Sequence, residues 1–224
     1  MSIASENEEI TAVVNRLLDS LAATVSSQVG GTGADLRRQI GNVRSFYSDY
    51  LRDGTFYTQL LSCFTIAREA SAKLSSFVKV RDKLFLETPV GETPKLIVQA
   101  AIGFCLGAES RLITAISFSS RDAVEEMIAN MKLAFDTARD LSADALDSSS
   151  YQNLTFLAGA LTNHLATTAR PLPRMVTFDM KETMPALTLS NRIYYTAERW
   201  EEVVEENHVI HPAFCPRNIR GLSA

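Results

Sequence analysis

The sequence predicts a mainly α-helical protein, with a multi-helix bundle over residues 1–169 and a small module of strand, helix, helix and strand over residues 170–224. In the first part, apolar residues recur at the i, i+3, i+4, i+7 spacing of amphipathic helices, and no strand pattern competes with it. Pro171 and Pro173 end this pattern, because proline lacks the N–H of a helical hydrogen bond and restricts the residue before it. An alternating, β-branched segment at residues 175–180 then predicts a strand.

The bundle is expected to contain about six helices joined by short turns. The first helix ends before the glycine-rich residues 30–33, which predict a flexible turn. This turn lacks the GxxxxGK[ST] pattern and follows a helix rather than a strand, so we do not expect it to hold a phosphate. The next helix begins at Ala34, and the helical pattern resumes at Phe56 and runs on to Leu74.

Local signals predict where the later helices of the bundle begin. Thr93 and Pro94 predict an N-cap and a first helical residue. The wide apolar face that follows them predicts the central helix of the bundle. Ser119 and Asp122 have the spacing of a capping box for the next helix, and a polar break at residues 147–150 precedes the last one.

Two side-chain clusters in the bundle leave alternatives open. An aromatic cluster at helical spacing is typical of a core or a helix–helix contact, and the alternative is a stacking platform. It comprises Phe46, Tyr47, Tyr50, Phe56 and Tyr57. A basic cluster indicates a solvated helix face, and the alternative is contact with an acidic partner subunit. It comprises Lys73, Lys79, Arg81 and Lys83.

Composition and motifs argue against several classes of function. The formal net charge of −4 argues against a nucleic-acid partner. The most apolar segment, residues 96–106, is too short to span a membrane, and the acidic N-terminus does not match a signal peptide, so we expect synthesis in the cytosol and no membrane partner. The three cysteines lack metal-ligand spacing and no catalytic motif is present. We therefore expect free buried thiols, no enzymatic activity, no cofactor and no metal.

Proline and asparagine punctuate the C-terminal module. Pro185 is expected to open a short helix, and a second helix is expected to run from about Ala197. Asn207 is expected near the end of that second helix, where asparagine tolerates the left-handed conformation. A rigid loop over residues 211–216 then leads to a second short strand at residues 219–222.

Strand, helix, helix, strand is the order of a LysM domain, and three segments of the module resemble one. Residues 192–195 (Arg-Ile-Tyr-Tyr) look like the end of its first helix, and residues 199–204 look like its second helix. Residues 207–212 (Asn-His-Val-Ile-His-Pro) look like its Asn-x-Ile-x-x-Pro segment. More specifically, residues 143–224 resemble the C-terminal end of the Mu-like phage DNA circularisation (tail/baseplate) protein family, from a Leu-Pro-Arg-Met-Val-Thr strand to a Leu-Ser finish.

The chain departs from the pattern of this family in three places. Tyr195 and Arg217 stand where the pattern has glycines. Glycine permits turn geometry that other residues resist, so we expect these turns to differ locally. The N-terminal β-rich region of the family has no counterpart in the sequence, and we do not carry over any function assigned to that region.

The resemblance implies a structural protein of a contractile phage tail baseplate. LysM domains bind peptidoglycan sugars, but baseplates reuse the fold as a connector between proteins. The implied protein is a hub or wedge connector that joins the tail tube or hub to surrounding wedge, sheath-initiator or sheath proteins. It would be assembled in the host cytoplasm, located in the virion, and homo-oligomeric with three- or six-fold symmetry.

The implied docking role singles out aromatic, Arg, Asn and His residues of the module, since large aromatics and Arg dominate interface energetics. The candidate partner-binding residues are Arg192, Tyr194, Trp200, Asn207, His211 and Phe214. The alternative interpretation is that Trp200, Ile193 and Ile210 form the small core of the module itself. Two other functions remain open, namely peptidoglycan binding and DNA binding at ejection; the sequence pI of about 5.5 argues against the second.

Overall fold

The structure is a computed structural model that describes residues 3–25 and 31–223. It confirms a mainly helical chain with a small antiparallel two-stranded sheet near the C-terminus. The elements in chain order are α1 (Ile3–Ala22), α2 (Gly31–Arg52), α3 (Phe56–Glu69), α4 (Leu74–Phe85), α5 (Glu92–Ile113), α6 (Arg121–Asp144), α7 (Ser148–Ala169), β1 (Met175–Asp179), α8 (Ala186–Tyr194), α9 (Trp200–Glu206) and β2 (Asn218–Leu222).

The chain divides into two compact units. The first comprises Met1–Ile116 and Met131–Leu161, and the second comprises Ser117–Asn130 and Thr162–Ala224. Helices α6 and α7 therefore each contribute residues to both units. The candidate partner-binding residues all belong to the second unit.

The core of the first unit is built around α5, which packs against α1, α3 and α4. Phe64 of α3 stacks on Phe77 of α4 at 6.3 Å between ring centroids, and it meets Phe104 of α5 edge-on at 5.7 Å. Within the described residues, α5 is the helix with the length and apolarity to cross a membrane, and just over half of its most apolar stretch is buried inside the protein. That burial is what a core helix requires.

The start of α5 differs from the prediction, because its cap comes from another helix. The helix begins at Glu92, preceded by Gly91, and not at Thr93 and Pro94. The Glu9 carboxylate of α1 accepts hydrogen bonds from the backbone N–H groups of Val90 (2.7 Å) and Gly91 (2.9 Å). These bonds lower the pKa of Glu9. A negative group at a helix N-terminus is favourable, so α1 stabilises the start of α5.

Two other boundaries also correct the sequence-based expectation. Residues Gly31–Gly33 form the first turn of α2 and not a flexible turn, while Gly30 lies outside the described residues. The helix predicted from Phe56 to Leu74 is broken, since α3 ends at Glu69, Ser71 adopts a φ of 63° and α4 begins at Leu74. A left-handed serine interrupts the helix although the apolar pattern continues through it.

The N-terminus of α6 is capped by a different serine from the predicted one. Ser120 Oγ accepts a hydrogen bond from the backbone N–H of Ala123 at 3.2 Å. Ser119 instead donates its hydroxyl to Glu206 Oε1 at 3.1 Å, and Asp122 accepts the backbone N–H of Met175 at 2.6 Å. The two residues of the predicted capping box thus make contacts within the second unit.

The predicted side-chain clusters have mixed environments. In the aromatic cluster Phe56 is fully buried, whereas Phe46 is half exposed and pairs with Tyr50 at 6.3 Å. In the basic cluster Arg81 is buried and forms an ion pair with Glu109, which is itself completely buried on α5. The interpretation of a solvated helix face is therefore wrong for Arg81.

Candidate docking site

The C-terminal module packs two short helices against its two-stranded sheet. The strands pair antiparallel, with Met175 opposite Leu222 and Asp179 opposite Asn218. A small apolar core lies between the sheet and the helices. Its buried members are Ala186, Leu189, Val203, Cys215 and Ile219. An additional backbone bridge between Met184 and Cys215 ties the two long loops of the module together.

Trp200 and Ile193 are both partly buried against this core. This agrees with the interpretation that they belong to the core of the module. Ile210 does not, because its side chain is fully exposed, at 102% of its reference area. The interpretation of Ile210 as a core residue is therefore wrong, and the isoleucine lies on the surface of the loop after α9.

Tyr194 is engaged in contacts within the module. Its hydroxyl donates to Glu202 Oε1 at 2.7 Å and accepts the backbone N–H of Leu222 at 2.9 Å. The Arg199 guanidinium lies 3.8 Å from the centre of the tyrosine ring and also donates to the Glu202 carboxylate at 2.9 Å. Burial, followed by the hydrogen bond to Glu202, raises the pKa of Tyr194 to about 12. The phenol therefore remains a neutral donor at physiological pH.

The position of Tyr194 depends on a glycine in β2. A Cβ atom at Gly221 would lie 2.6 Å from the Tyr194 hydroxyl oxygen and 3.3 Å from Phe178 Cε2. A contact of 2.6 Å is essentially never made by a real Cβ atom, so the close approach of the phenol to the strand requires glycine. Gly221, Arg199 and Glu202 were not predicted from the sequence as residues of the site, although the i, i+3 spacing of Arg199 and Glu202 is a recognisable signal for an ion pair.

Asn207 joins the end of α9 to β2. Its Nδ2 donates to the carbonyl oxygens of Val203 (2.9 Å) and Arg220 (2.7 Å), and its Oδ1 accepts the backbone N–H of Arg220 at 2.8 Å. Its own backbone is not left-handed, with a φ of −106°, and the left-handed residue is His208 with a φ of 49°. The expected conformation of Asn207 is wrong by one residue, and its side chain is what stabilises the turn.

The turn after α8 has a tyrosine in the left-handed conformation, which glycine adopts more easily. Tyr195 adopts a φ of 59° and ends α8 in the left-handed conformation, although its side chain is largely exposed. Tyr195 therefore adopts a conformation that glycine reaches more easily, and the expected local difference at this turn stays a prediction. A non-glycine residue in this region carries a strain of about 1 kcal/mol.

The remaining candidates lie on the surface of the module. His211 and Phe214 contact each other at 5.6 Å between ring centroids, and His211 Nδ1 accepts the backbone N–H of Ala213 at 3.2 Å. The Phe214 side chain is 71% exposed. Arg192 is also exposed and lies 3.8 Å from Met184 Sδ. The loop over residues 207–217 therefore presents Ile210, His211 and Phe214 to solvent, and we call these three residues the apolar loop tip.

This arrangement is suited to binding a partner through surface shape and apolar contact. It is less suited to catalysis or metal binding, which need polar groups that are free to react. The polar groups at its centre, in Tyr194, Asn207 and Glu202, are satisfied by partners inside the module. Among the described residues, no cluster of three or more His, Cys, Asp or Glu side chains is placed to hold a metal ion. Comparison of the chain with protein-family models and with curated proteins finds no match.

Proposed function

We propose that this chain is a structural protein of a contractile phage tail baseplate and that its C-terminal module docks it onto neighbouring tail proteins. The partners would be tail tube, hub, wedge or sheath-initiator proteins. The protein would be a homo-oligomer with three- or six-fold symmetry around the tail axis. The module would be a LysM-like domain used as a protein connector.

The observation that carries this proposal is that some candidate residues of the C-terminal module make contacts inside the module, whereas others are exposed. Tyr194 and Asn207 fasten the module internally, whereas Ile210 and Phe214 have no such role and are exposed. Exposed large apolar side chains grouped on one loop are typical of a protein contact. Large aromatic residues contribute most to such contacts. The apolar loop tip is therefore the docking surface that we propose, with Arg192 as a further contact candidate.

The test replaces two of the three residues of the apolar loop tip, Ile210 and Phe214. The double variant Ile210→Ser and Phe214→Ser removes two exposed side chains and is expected to leave the fold intact. A matched control, Leu86→Ser with Val90→Ser, removes two exposed apolar side chains of the first unit, which are 82% and 71% exposed. Each variant is introduced into the tail gene cluster that encodes the chain, and complete tails are counted by electron microscopy.

We expect the loop variant to abolish complete tails while the control variant assembles them normally. Purified loop variant should keep the circular dichroism spectrum and melting temperature of the wild type. Normal tail assembly by the folded loop variant would show that this surface does not dock the protein. Equal loss with both variants would mean that surface apolarity in general, and not the loop tip, is required.

Peptidoglycan binding is the second candidate function, and one observation favours it. Tyr195 adopts the left-handed conformation that a glycine would allow at this position, so the tyrosine is compatible with a tight turn beside a glycan site. Sedimentation of the purified chain with insoluble peptidoglycan distinguishes the two candidates. Saturable binding that the loop variant loses would support a glycan site, whereas protein docking predicts that the wild-type chain stays in the supernatant.

A further inference from the structure

The two outer edges of the small sheet differ in how many of their outward backbone groups have hydrogen-bond partners. Backbone bonds flank the ladder at both ends, from Met180 N–H to Arg217 C=O (2.8 Å) and from Ser223 N–H to Arg174 C=O (2.7 Å). With the observed register, these bonds place Val176 and Phe178 in the hydrogen-bonded pairs. The backbone groups of Met175, Thr177 and Asp179 therefore point away from β2.

Side chains cover the outer edge of β2 at Arg220 and Leu222. Leu222 donates its N–H to the Tyr194 hydroxyl, and Arg220 exchanges both of its backbone groups with the Asn207 amide. At the outer edge of β1, Asp122 accepts the N–H of Met175. Within the described part of the chain, no group occupies the outward N–H and C=O of Thr177 or of Asp179. Both residues are exposed.

We propose that the outer edge of β1 binds an extended segment of another polypeptide, which adds a third strand to the sheet. An unpaired edge presents alternating donors and acceptors that an extended backbone matches, which is the basis of strand addition. Side chains cover the outward groups of Arg220 and the outward N–H of Leu222 in β2, and that of Met175 in β1, but leave a gap over Thr177 and Asp179. The surface is separate from the apolar loop tip and does not depend on a role in phage tails.

Charge selects the occupant of this edge. Asp122 lies at one end of the gap and Asp179 at the other, and Arg121, the basic neighbour of Asp122, is bound to Glu125 at 3.1 Å. The other basic residues nearby lie off this edge: Arg174 and Lys181 stand before and after β1, and Arg220 stands opposite Thr177 on β2. Two copies of β1 paired antiparallel about Thr177 would place each Asp179 beside the other copy's Asp122. Like charges placed opposite each other destabilise a strand pair. The edge therefore fits a segment with a basic side chain near each end and disfavours a second copy of this chain.

The test uses the full chain labelled with ¹⁵N and a capped synthetic peptide of sequence Lys-Val-Thr-Val-Thr-Val-Lys. Titration with the peptide should shift the amide resonances of Thr177 and Asp179 and slow their hydrogen exchange. The same peptide with Glu in place of both Lys residues should bind roughly fivefold more weakly, because opposite charges then become like charges. Methylating the peptide nitrogens that face β1 should weaken binding at least about tenfold, since two hydrogen bonds are lost.

A protein variant and a control complete the experiment. Thr177→Pro removes an outward N–H without removing a donor of the β1–β2 ladder, and it should abolish binding. The loop variant Ile210→Ser with Phe214→Ser should bind the peptide as the wild type does. If the proline variant does not fold, the methylated peptide tests the same bond on wild-type protein.

Three results would overturn the proposal. The first is an absence of shifts at Thr177 and Asp179, or shifts confined to residues 207–217. The second is equal binding of the methylated and unmethylated peptides. The third is concentration-dependent protection of Thr177 without any peptide, which would identify a second copy as the occupant.

Discussion

At the residue scale, burial and ion pairing act in opposite directions on Glu109. The carboxyl group is completely buried on α5, and its Oε2 contacts the Arg81 guanidinium. Its Oε1 has no hydrogen-bond partner among the described residues. Burial disfavours the ionised form more than Arg81 favours it, and the pKa of Glu109 is raised to about 7. The core of the protein therefore contains a carboxyl group that titrates near neutral pH.

This raised pKa makes stability depend on pH. Between pH 4.5 and about 7, Glu109 is protonated in the folded chain and ionised in the unfolded chain. Its contribution to stability is therefore present below pH 4.5 and is lost as the pH rises through 7, with a slope of at most about 1.4 kcal/mol per pH unit. We expect Glu109→Gln to flatten the stability profile from pH 5 to 8, measured by urea unfolding. The exposed Glu92→Gln is the control, and an unchanged slope in the Glu109 variant would contradict the assignment.

Gly221 offers a second prediction at this scale. In Gly221→Ala the new methyl group would lie 2.6 Å from the Tyr194 hydroxyl oxygen, so the phenol must move. We expect a loss of about 1–3 kcal/mol in the free energy of unfolding, as for other overpacked sites. Removing the hydroxyl with Tyr194→Phe should reduce the cost of the alanine, which a double-mutant cycle measures. Gly103→Ala, where the added methyl group meets no atom within 4 Å, is the control and should not destabilise.

At the element scale, side chains from distant positions bind backbone groups at the ends and edges of helices and strands that have no local partner. Glu9 caps α5 from 81 positions earlier in the chain, and Asn207 covers the edge of β2. The apolar patterns of the helices, both strands and the three buried cysteines follow from local sequence and were predicted from it. The break at Ser71 was not, because neither glycine nor proline marks it. A cap supplied in space leaves no local pattern either, which is also why Thr93 was mistaken for the N-cap.

The candidate site divides in the same way. Residue type predicted that aromatic and polar side chains of residues 192–214 bind a partner. The structure places all of these residues in one compact unit. Residue type could not show which of them face inward. Tyr194 and Asn207 find backbone partners in β2, which lies beyond a loop, whereas Ile210 has an apolar side chain but is placed in the solvent. Such choices are made by tertiary packing and not by local propensity.

The covered edge of β2 gives a prediction for an element as a whole. Asn207→Ala removes three hydrogen bonds and leaves the Arg220 backbone groups without their side-chain partner. We expect a loss of about 1–3 kcal/mol in the free energy of unfolding, together with faster hydrogen exchange at the Arg220 amide. Asn207→Asp keeps the acceptor for that amide, so the Arg220 amide should stay protected from exchange. The aspartate variant should still be less stable than the wild type, because it lacks the Nδ2 donor. Unchanged exchange at Arg220 in the alanine variant would contradict the role assigned to Asn207.

At the scale of the whole molecule, each of the two units has its own buried core. In the second unit, Val203 is fully buried between α9 and the sheet, and Val203→Ala is expected to cost about 1–3 kcal/mol there. Hydrogen exchange should accelerate at Leu189 and Ile219, while amides around Phe64 and Phe77 in the first unit keep their protection. Ala at the exposed Val176 is the matched control. Equal acceleration in both units would show that they unfold as one cooperative body.

The three cysteines are distributed so that each unit contains at least one. Cys63 and Cys105 lie in the first unit and Cys215 in the second, and all three are buried. Burial raises the pKa of each thiol, that of Cys63 to about 12. An alkylating reagent reacts with the thiolate, so native thiols should stay unmodified until the surrounding structure opens. The chain thus contains its own probes of local opening. The rate of modification of Cys215 reports how often the C-terminal module opens, and the rates at Cys63 and Cys105 report how often the helical core opens.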